Sequence, residues 1–363
     1  MESFFIKSPV STLFASSLLV PMLLFILPNI LVISSLSLCP SICICDSSSL
    51  FVNCSGTNLT NILISPPLVV EFLDLSDCSL YSIPLLRNLW RLHAMLLAHN
   101  AISEVKNGSW RGLQSLEILD LNDNNITDLG GSFSIDLDSL THLYLAHNVL
   151  HSVMRYNFKH LHSLELLDLQ GNLISKLEPG ALRSLTQLRR LLLQNNQLQS
   201  LRGDDFSVLQ KLEFLDLSRN QIQDLPSVLF TPLHSLTFLN LQHNNLRHLR
   251  FQTLSNLPAP GTLLLLSFNP WECDCDLQRV FGKLGSLHKI SLQDGGNLYC
   301  ADPAALRGRP ITSLDTRLCV AETVTVLVIT LTVLVTVIGA IVTAERRRKK
   351  SPGSPGREMY AQD

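Results

Sequence analysis

The chain has 363 residues, 46% of them apolar, with 28 basic and 30 acidic residues and a formal net charge of -2. That length exceeds one average domain, yet an elongated repeat array uses such a length as a single unit. The balanced charge argues against a nucleic-acid partner, which selects for a basic patch on a folded domain.

The first apolar stretch runs from about Thr12 to Ile33, behind Lys7, and ends in "SSLSLCP". Small residues at Ser35 and Ser37 suit signal-peptidase cleavage before Leu38, so residues 1-37 read as a signal peptide. Retention as an anchor would put both chain ends in the cytoplasm. Pro21, Pro28 and the cysteines that follow favour cleavage.

Residues 38-70 contain "CPSICICDSSSLFVNC", with Cys39, Cys43, Cys45 and Cys54. In a secreted context an even cysteine count reads as a disulfide framework. The Cys-x-Cys spacing also occurs in metal sites, but no histidine accompanies this group, and we expect neither a metal nor a cofactor.

From residue 71 to 268 the pattern "LxLxxN" recurs. Its asparagine falls at Asn100, Asn124, Asn148, Asn172, Asn196, Asn220 and Asn244, always 24 residues apart. Cys78 takes the same place one unit earlier and Asn269 one unit later. Such a period denotes a solenoid, because no single unit can bury its apolar face alone. Each unit should supply a short strand whose leucines, Leu119 and Leu121 for example, point inward. Phe158, Leu182, Phe206 and Phe230 should fill the convex side. The asparagine amide should bond the backbone groups of the turn that leaves the strand, which would otherwise be buried and unpaired. Cys78 then reads as a buried free thiol.

Residues 269-322 hold "NPWECDCDL" with Cys273 and Cys275, then Cys300 and Cys319. These two cysteine-rich segments suit caps for the raw ends of the solenoid. Residues 323-344, "TVTVLVITLTVLVTVIGAIVTA", form a run of 22 without charge. At about 1.5 Å per residue it crosses a hydrocarbon core of about 30 Å. Arg346, Arg347, Arg348, Lys349 and Lys350 follow at once and mark its cytoplasmic end. Within it, Gly339 with Thr343 and Ala340 with Ala344 form small-xxx-small pairs. The tail, 345-363, carries six basic and three acidic residues, leaving a mildly acidic exterior. It reads as disordered and too short for a signalling domain.

These motifs resemble those of the extracellular leucine-rich-repeat family with cysteine-rich flanks. The repeat matches L-x-x-L-x-L-x-x-N/C-x-L, the N-flank C-x3-C-x-C-x8-C, and the C-flank NPW-x-C-x-C with two later cysteines. The resemblance covers residues 39 to 319. It implies an α/β solenoid, a horseshoe with a parallel concave sheet, disulfide-bonded caps and one transmembrane helix. It also implies the pairings Cys39–Cys45, Cys43–Cys54, Cys273–Cys300 and Cys275–Cys319. The chain also resembles the gamma auxiliary subunits of large-conductance calcium-activated potassium channels. That resemblance implies that the helix and basic run contact a channel and shift its voltage dependence. It departs in having seven or eight repeats rather than about six, and in Glu345 before the basic run.

No catalytic constellation emerges, so an enzyme is not expected. His99, His147 and His243 each precede a ladder asparagine, with Asp123 at the same place. Strand spacing of about 5 Å would let His99, Asp123 and His147 stack and titrate together. A loop position that merely tolerates polar residues explains the pattern as well. The concave sheet is the better candidate, since residues alternating with the inward leucines face outward. One column reads Asp74, Leu96, Asp120, Tyr144, Asp168, Leu192, Asp216, Asn240. Its neighbour reads Phe72, Ala94, Ile118, His142, Leu166, Arg190, Phe214, Phe238. Exposed aromatic residues on a rigid curved sheet suit contact with a protein. We expect Asp120, Tyr144, Asp168, Arg190, Phe214, Asp216 and Phe238 to carry it. Four N-x-S/T sequons, at Asn53, Asn58, Asn107 and Asn125, would place glycans on the N-terminal third. The function expected is a single-pass cell-surface protein that binds a protein ligand or a membrane-protein complex. The alternative is an auxiliary subunit of a potassium channel.

Overall fold

The structure is a computed structural model. It describes residues 39-350 except 49, 60-64, 87, 285-288 and 315-316, with backbone alone for 317-323 and 347-350. The expected signal peptide (1-37) and the tail beyond Lys350 lie outside the described residues.

Sixteen short strands are described. They are β1 (Ile44–Cys45), β2 (Phe51–Asn53), β3 (Phe72–Asp74), β4 (Ala94–Leu96), β5 (Ile118–Asp120), β6 (His142–Tyr144), β7 (Ser152–Val153) and β8 (Leu166–Asp168), then β9 (Lys176–Leu177), β10 (Arg190–Leu192), β11 (Phe214–Asp216), β12 (Phe238–Asn240), β13 (Thr262–Leu265), β14 (Trp271–Glu272), β15 (Ile290–Leu292) and β16 (Cys300–Asp302). Twelve form one sheet, in the order β1-β2-β3-β4-β5-β6-β8-β10-β11-β12-β13-β15. Every pairing in it is parallel except β1 with β2. The sheet therefore passes through both expected domain limits, at 70 and at 268, because β2 and β15 extend it into the caps. Strand residues pair one repeat apart, Leu119 with Leu143 and Leu143 with Leu167, so identical positions stack in columns.

Burial explains the sequence period. Leu119 and Leu121 are fully buried, as are their equivalents Leu143, Leu145, Leu167 and Leu169. Phe158, Leu182, Phe206 and Phe230 fill the convex side and are buried too. Among the described residues of the repeats, the return path is built of turns, the two-stranded β7–β9 pair and one helix, α1 (Phe251–Ser255). Repeats of 24 residues leave little chain for a helix of useful length on the return path.

The ladder asparagines satisfy every polar atom they bury. Asn124 Nδ2 donates to the carbonyl oxygens of Leu97 at 3.0 Å, Leu121 at 3.1 Å and Asn122 at 3.0 Å, and its Oδ1 accepts from the Ile102 N–H at 3.0 Å. The amide thus ties one turn to the next. Cys78 replaces it near the N-terminal end, where its thiol donates to the Cys54 and Ser76 carbonyls at 3.1 and 3.3 Å. The residue before each ladder position adopts positive φ, between 52° and 61°, at Asp77, His99, Asp123, His147, Asn195, Arg219, His243 and Phe268. Gly171 holds the same place at φ 65°. Asn, Asp and His enter this left-handed region several-fold more readily than other side chains. The recurrence of His and Asp there is set by the backbone.

The caps are disulfide-bonded: Cys39 to Cys45, Cys43 to Cys54, and Cys273 to Cys300. Cys275 is also in a disulfide, and the side chain of Cys319 lies outside the described residues. Among the described side chains, Cys78 is the free cysteine, and it is buried. In the C-terminal cap α2 (Cys275–Leu284) packs Leu277, Val280 and Leu284 inward. Buried Asp294 accepts from the Leu266 and Ser267 N–H groups, closing the exposed edge of the last repeat. The final helix, α3, spans Arg317–Lys350. Its stretch Val324–Arg346 is long and apolar enough to cross a membrane, and none of it is buried against the protein.

Candidate functional site

The parallel register brings the two expected columns together on the concave face. In the first, Asp74 pairs with Leu96, Leu96 with Asp120, Asp120 with Tyr144 and Tyr144 with Asp168. It continues through Leu192, Asp216 and Asn240. The aspartates have a local task. Oδ1 of Asp74, Asp120, Asp168 and Asp216 accepts the N–H two residues on, at 2.9, 2.9, 3.0 and 2.9 Å. Asn240 repeats the bond at 3.1 Å. Each therefore closes the turn at its strand end, and Asn240 Nδ2 also donates to the second oxygen of Asp216 at 3.2 Å.

One expectation changes here. Alternation turns the column residues outward, but Asp168 is only 7% exposed, and Asn240 and Ala94 are as enclosed at 8% and 5%. Its Oδ2 accepts from Gln170 Nε2 at 3.1 Å, and Gln194 Nε2 in turn donates to Gln170 Oε1 at 2.6 Å. Two glutamines on successive turns thus cover the carboxylate. Burial raises the pKa of Asp168 above the usual carboxylate range, opposed by the Gln170 hydrogen bonds. Burial likewise raises Asp120, opposed by the Asn122 N–H. Tyr144 stands between them. Burial and then the two flanking carboxylates raise its phenol pKa.

The second column is an apolar stripe. Phe51 stacks on Phe72 at 4.8 Å at one end, and Ile118 and Leu166 continue it, interrupted by His142. Toward the other end Arg190, Phe214 and Phe238 form a continuous stack. Arg190 Cζ lies 5.2 Å from the Phe214 ring centre, and the Phe214 and Phe238 rings are 4.4 Å apart and nearly parallel. Arg190 is exposed and both rings are half-buried. Stacked rings on adjacent short strands are held rigid, so a partner that covers them loses little side-chain freedom.

A third column lay unnoticed in the sequence. Glu71, Glu117, Glu165 and Glu213 precede every second strand, each three residues before an aspartate of the first column, as "ExLD". Arg189 bridges two of them, reaching Glu165 at 3.7 Å and Glu213 more closely. The signal was the recurrence of "ExLD" in alternate repeats.

The histidines do not form a continuous stack. His99 Nδ1 lies 3.7 Å from Asp123 Oδ2, but the His147 ring covers Gly171, and His243 stacks on Phe268 at 4.2 Å. Burial and then the Arg219 charge lower the His243 pKa.

Among the expected glycan acceptors, Asn58, Asn107 and Asn125 are exposed. Asn53 lies on β2, half-exposed, and accepts from the Ser55 N–H at 2.7 Å. Asn107 accepts from the Ser132 hydroxyl. Of the basic run, Arg346 is exposed. Arg347, Arg348, Lys349 and Lys350 continue the helix as backbone, with side chains outside the described residues.

Residues 91-150, 138-198 and 186-246 match the family described as leucine rich repeat. The protein named leucine-rich repeat-containing protein 3B, from Bos taurus, Mus musculus and Homo sapiens, is 34% identical over 101 residues. That match covers 27% of this chain and 39% of each relative, so the chain spans about two-fifths of the length of the curated relatives it matches. Among solved structures, human 5T4 (Wnt-activated inhibitory factor 1, trophoblast glycoprotein) superposes with TM-score 0.59 and 28% identity, covering 77% of this chain and 98% of that one. An octameric complex of Latrophilin 3, Unc5D and the leucine-rich repeats of FLRT2 matches with TM-score 0.59 and 24% identity, over 76% of this chain and 98% of the matched chain. The second likeness is one of fold. The 24-residue ladder, the parallel sheet with stacked columns and the family match together identify residues 91-246 as leucine-rich repeats.

Proposed function

We propose that the chain is a single-pass cell-surface recognition protein that binds a protein partner on its concave sheet and carries out no catalysis. The observation that carries this reading is the Arg190–Phe214–Phe238 stack, preordered on three adjacent strands beside the carboxylates of the first column. Aromatic and arginine side chains dominate the energetics of protein interfaces. The complex of FLRT2 repeats with Latrophilin 3 and Unc5D is consistent with protein binding by this fold.

In this reading residues 1-37 are a signal peptide, 38-322 lie outside the cell, 323-344 cross the plasma membrane and 345-363 are cytoplasmic. The disulfides support an oxidising compartment for the caps, and the basic run after the helix supports the orientation. Glycans at Asn53, Asn58, Asn107 and Asn125 would shield the N-terminal third, leaving the sheet from Tyr144 onward for the partner. Adhesion or co-receptor work fits this layout. The test is whether a soluble fragment, 38-322, binds intact cells and loses binding when Phe214 and Phe238 are replaced by alanine.

A second reading rests on α3. It continues without a break from the apolar stretch through Arg346 to Lys350, so the basic run stays on the same helix. A helix of that kind suits lateral contact with a potassium channel. Grafting 323-350 onto another ectodomain tests it. Altered channel voltage dependence from the graft would favour this reading over the first.

A further inference from the structure

The C-terminal cap contains a cleft of about 580 Å³. It lies between α2, the last sheet strand β15 and the turn Ile311–Ser313. Phe281, Ile290, Leu292 and Leu314 are its half-buried apolar wall, with Leu284 and Leu298 buried behind them, and none of the described lining residues is charged. Its polar groups, Gln278, Ser291 and Thr312, are neutral. The volume is in the range of about 300–1,000 Å³ that small-molecule sites occupy. Apolar wall left in water forgoes about 25 cal/mol for each Å² that an occupant would cover.

The position of the cleft in the chain indicates its occupant. Leu314 precedes α3 by three residues, and the apolar span begins seven residues further on, at Val324. Three extended residues reach about 10 Å. Seven helical residues add about 10 Å. The cleft wall therefore stands no more than about 20 Å from the hydrocarbon edge, and the headgroup layer fills about 5–8 Å of that. Lys289, exposed and adjacent to the lining residue Ile290, makes no ion pair with the described residues. A cation beside an apolar cleft matches a lipid with a phosphate headgroup.

We propose that this cleft takes an acyl chain of an outer-leaflet phospholipid and so seats the C-terminal cap against the membrane. The proposal rests on α3 spanning the bilayer and is independent of what the concave sheet binds.

The test uses the full chain in phosphatidylcholine vesicles doped with a phospholipid that carries a diazirine on its acyl chain. After irradiation the adducts are mapped by peptide. Adducts are expected on the apolar part of α3 and also on the peptides holding Phe281, Leu292 and Leu314. Ser291→Trp and Leu314→Trp, two separate ways of filling the cleft, should each lower the cap adducts by about tenfold, the equivalent of ~1.4 kcal/mol. Adducts on α3 should stay unchanged. Retention of the Cys273–Cys300 bond checks that each variant has folded. Adducts on α3 with none on the cap overturn the proposal, as do cap adducts that both folded variants leave unchanged. Adducts on neither segment overturn the span reading and the proposal with it.

Discussion

Asn124 Nδ2 donates to the Leu97 carbonyl at 3.0 Å, one turn back in the solenoid, while its Oδ1 accepts from the Ile102 N–H at 3.0 Å. Both partners are buried, so neither has water to fall back on. Replacing the side chain by alanine orphans the Ile102 N–H, whereas the Leu97, Leu121 and Asn122 carbonyls keep a second donor in Asn100 Nδ2, Asn148 Nδ2 and the His99 N–H. A buried orphaned group costs about 1–3 kcal/mol. Asn124→Ala should therefore speed exchange of the Ile102 amide by about 5- to 150-fold, the range that such a loss produces. Unchanged exchange at Ile102 would mean that the ladder is dispensable.

Gly171 and His147 are coupled in the same way across one turn. A Cβ on Gly171 would stand 2.5 Å from His147 Nδ1, at a backbone φ of 65°. Gly171→Ala meets two penalties: the left-handed conformation, roughly 1–2 kcal/mol, and displacement of the imidazole. Adding His147→Ala should remove the second and leave the first. The thermal midpoint of the double variant should then lie above that of Gly171→Ala alone. A lower midpoint would remove the steric account.

The carboxylate of Asp120 titrates with the opposite sign from an ion-paired one. Burial raises its pKa in the folded state, so folding favours the protonated form. The charge is a burden above the folded pKa, and that burden fades as pH falls toward the unfolded value of about 3.9. Asp120→Asn should accordingly stabilise the protein at neutral pH, with the gain shrinking as pH drops through the folded pKa. Asn240 already holds the same column and the same backbone bond, so the substitution keeps the turn. Unfolding midpoints of the two proteins across that pH window test the sign. A gain that grows on acidification would contradict it.

Much of this architecture was legible because buried backbone constrains residue type. An amide side chain is well suited to donate to three carbonyls while accepting an N–H, which fixes the 24-residue asparagine ladder in the sequence. The columns followed from alternation, since a strand sends successive side chains to opposite faces. Other features depended on neighbours one repeat away. Asp168 is covered by Gln170 and Gln194 from successive turns, and nothing at Asp168 itself announces it. The histidines left a titrating set and a tolerant loop position both open, because side-chain chemistry is visible in a sequence and the dihedral is not. Asn195 and Gly171, at the same place in later repeats, were the clue to positive φ. Arg189 escaped notice because its meaning lies in bridging Glu165 and Glu213, two repeats apart.

The central claim is that the concave sheet binds a protein through its aromatic stack. The most direct measurement is the affinity of the soluble fragment 38-322 for intact cells, compared between the native sequence and Phe214→Ala/Phe238→Ala, with Lys159→Ala on the convex side as control. Interface hot spots lose about 2 kcal/mol or more on truncation, so the double variant should bind at least about 30-fold more weakly while the control binds as the native fragment does. Equal binding by all three, or equal loss in the convex control, would contradict the account.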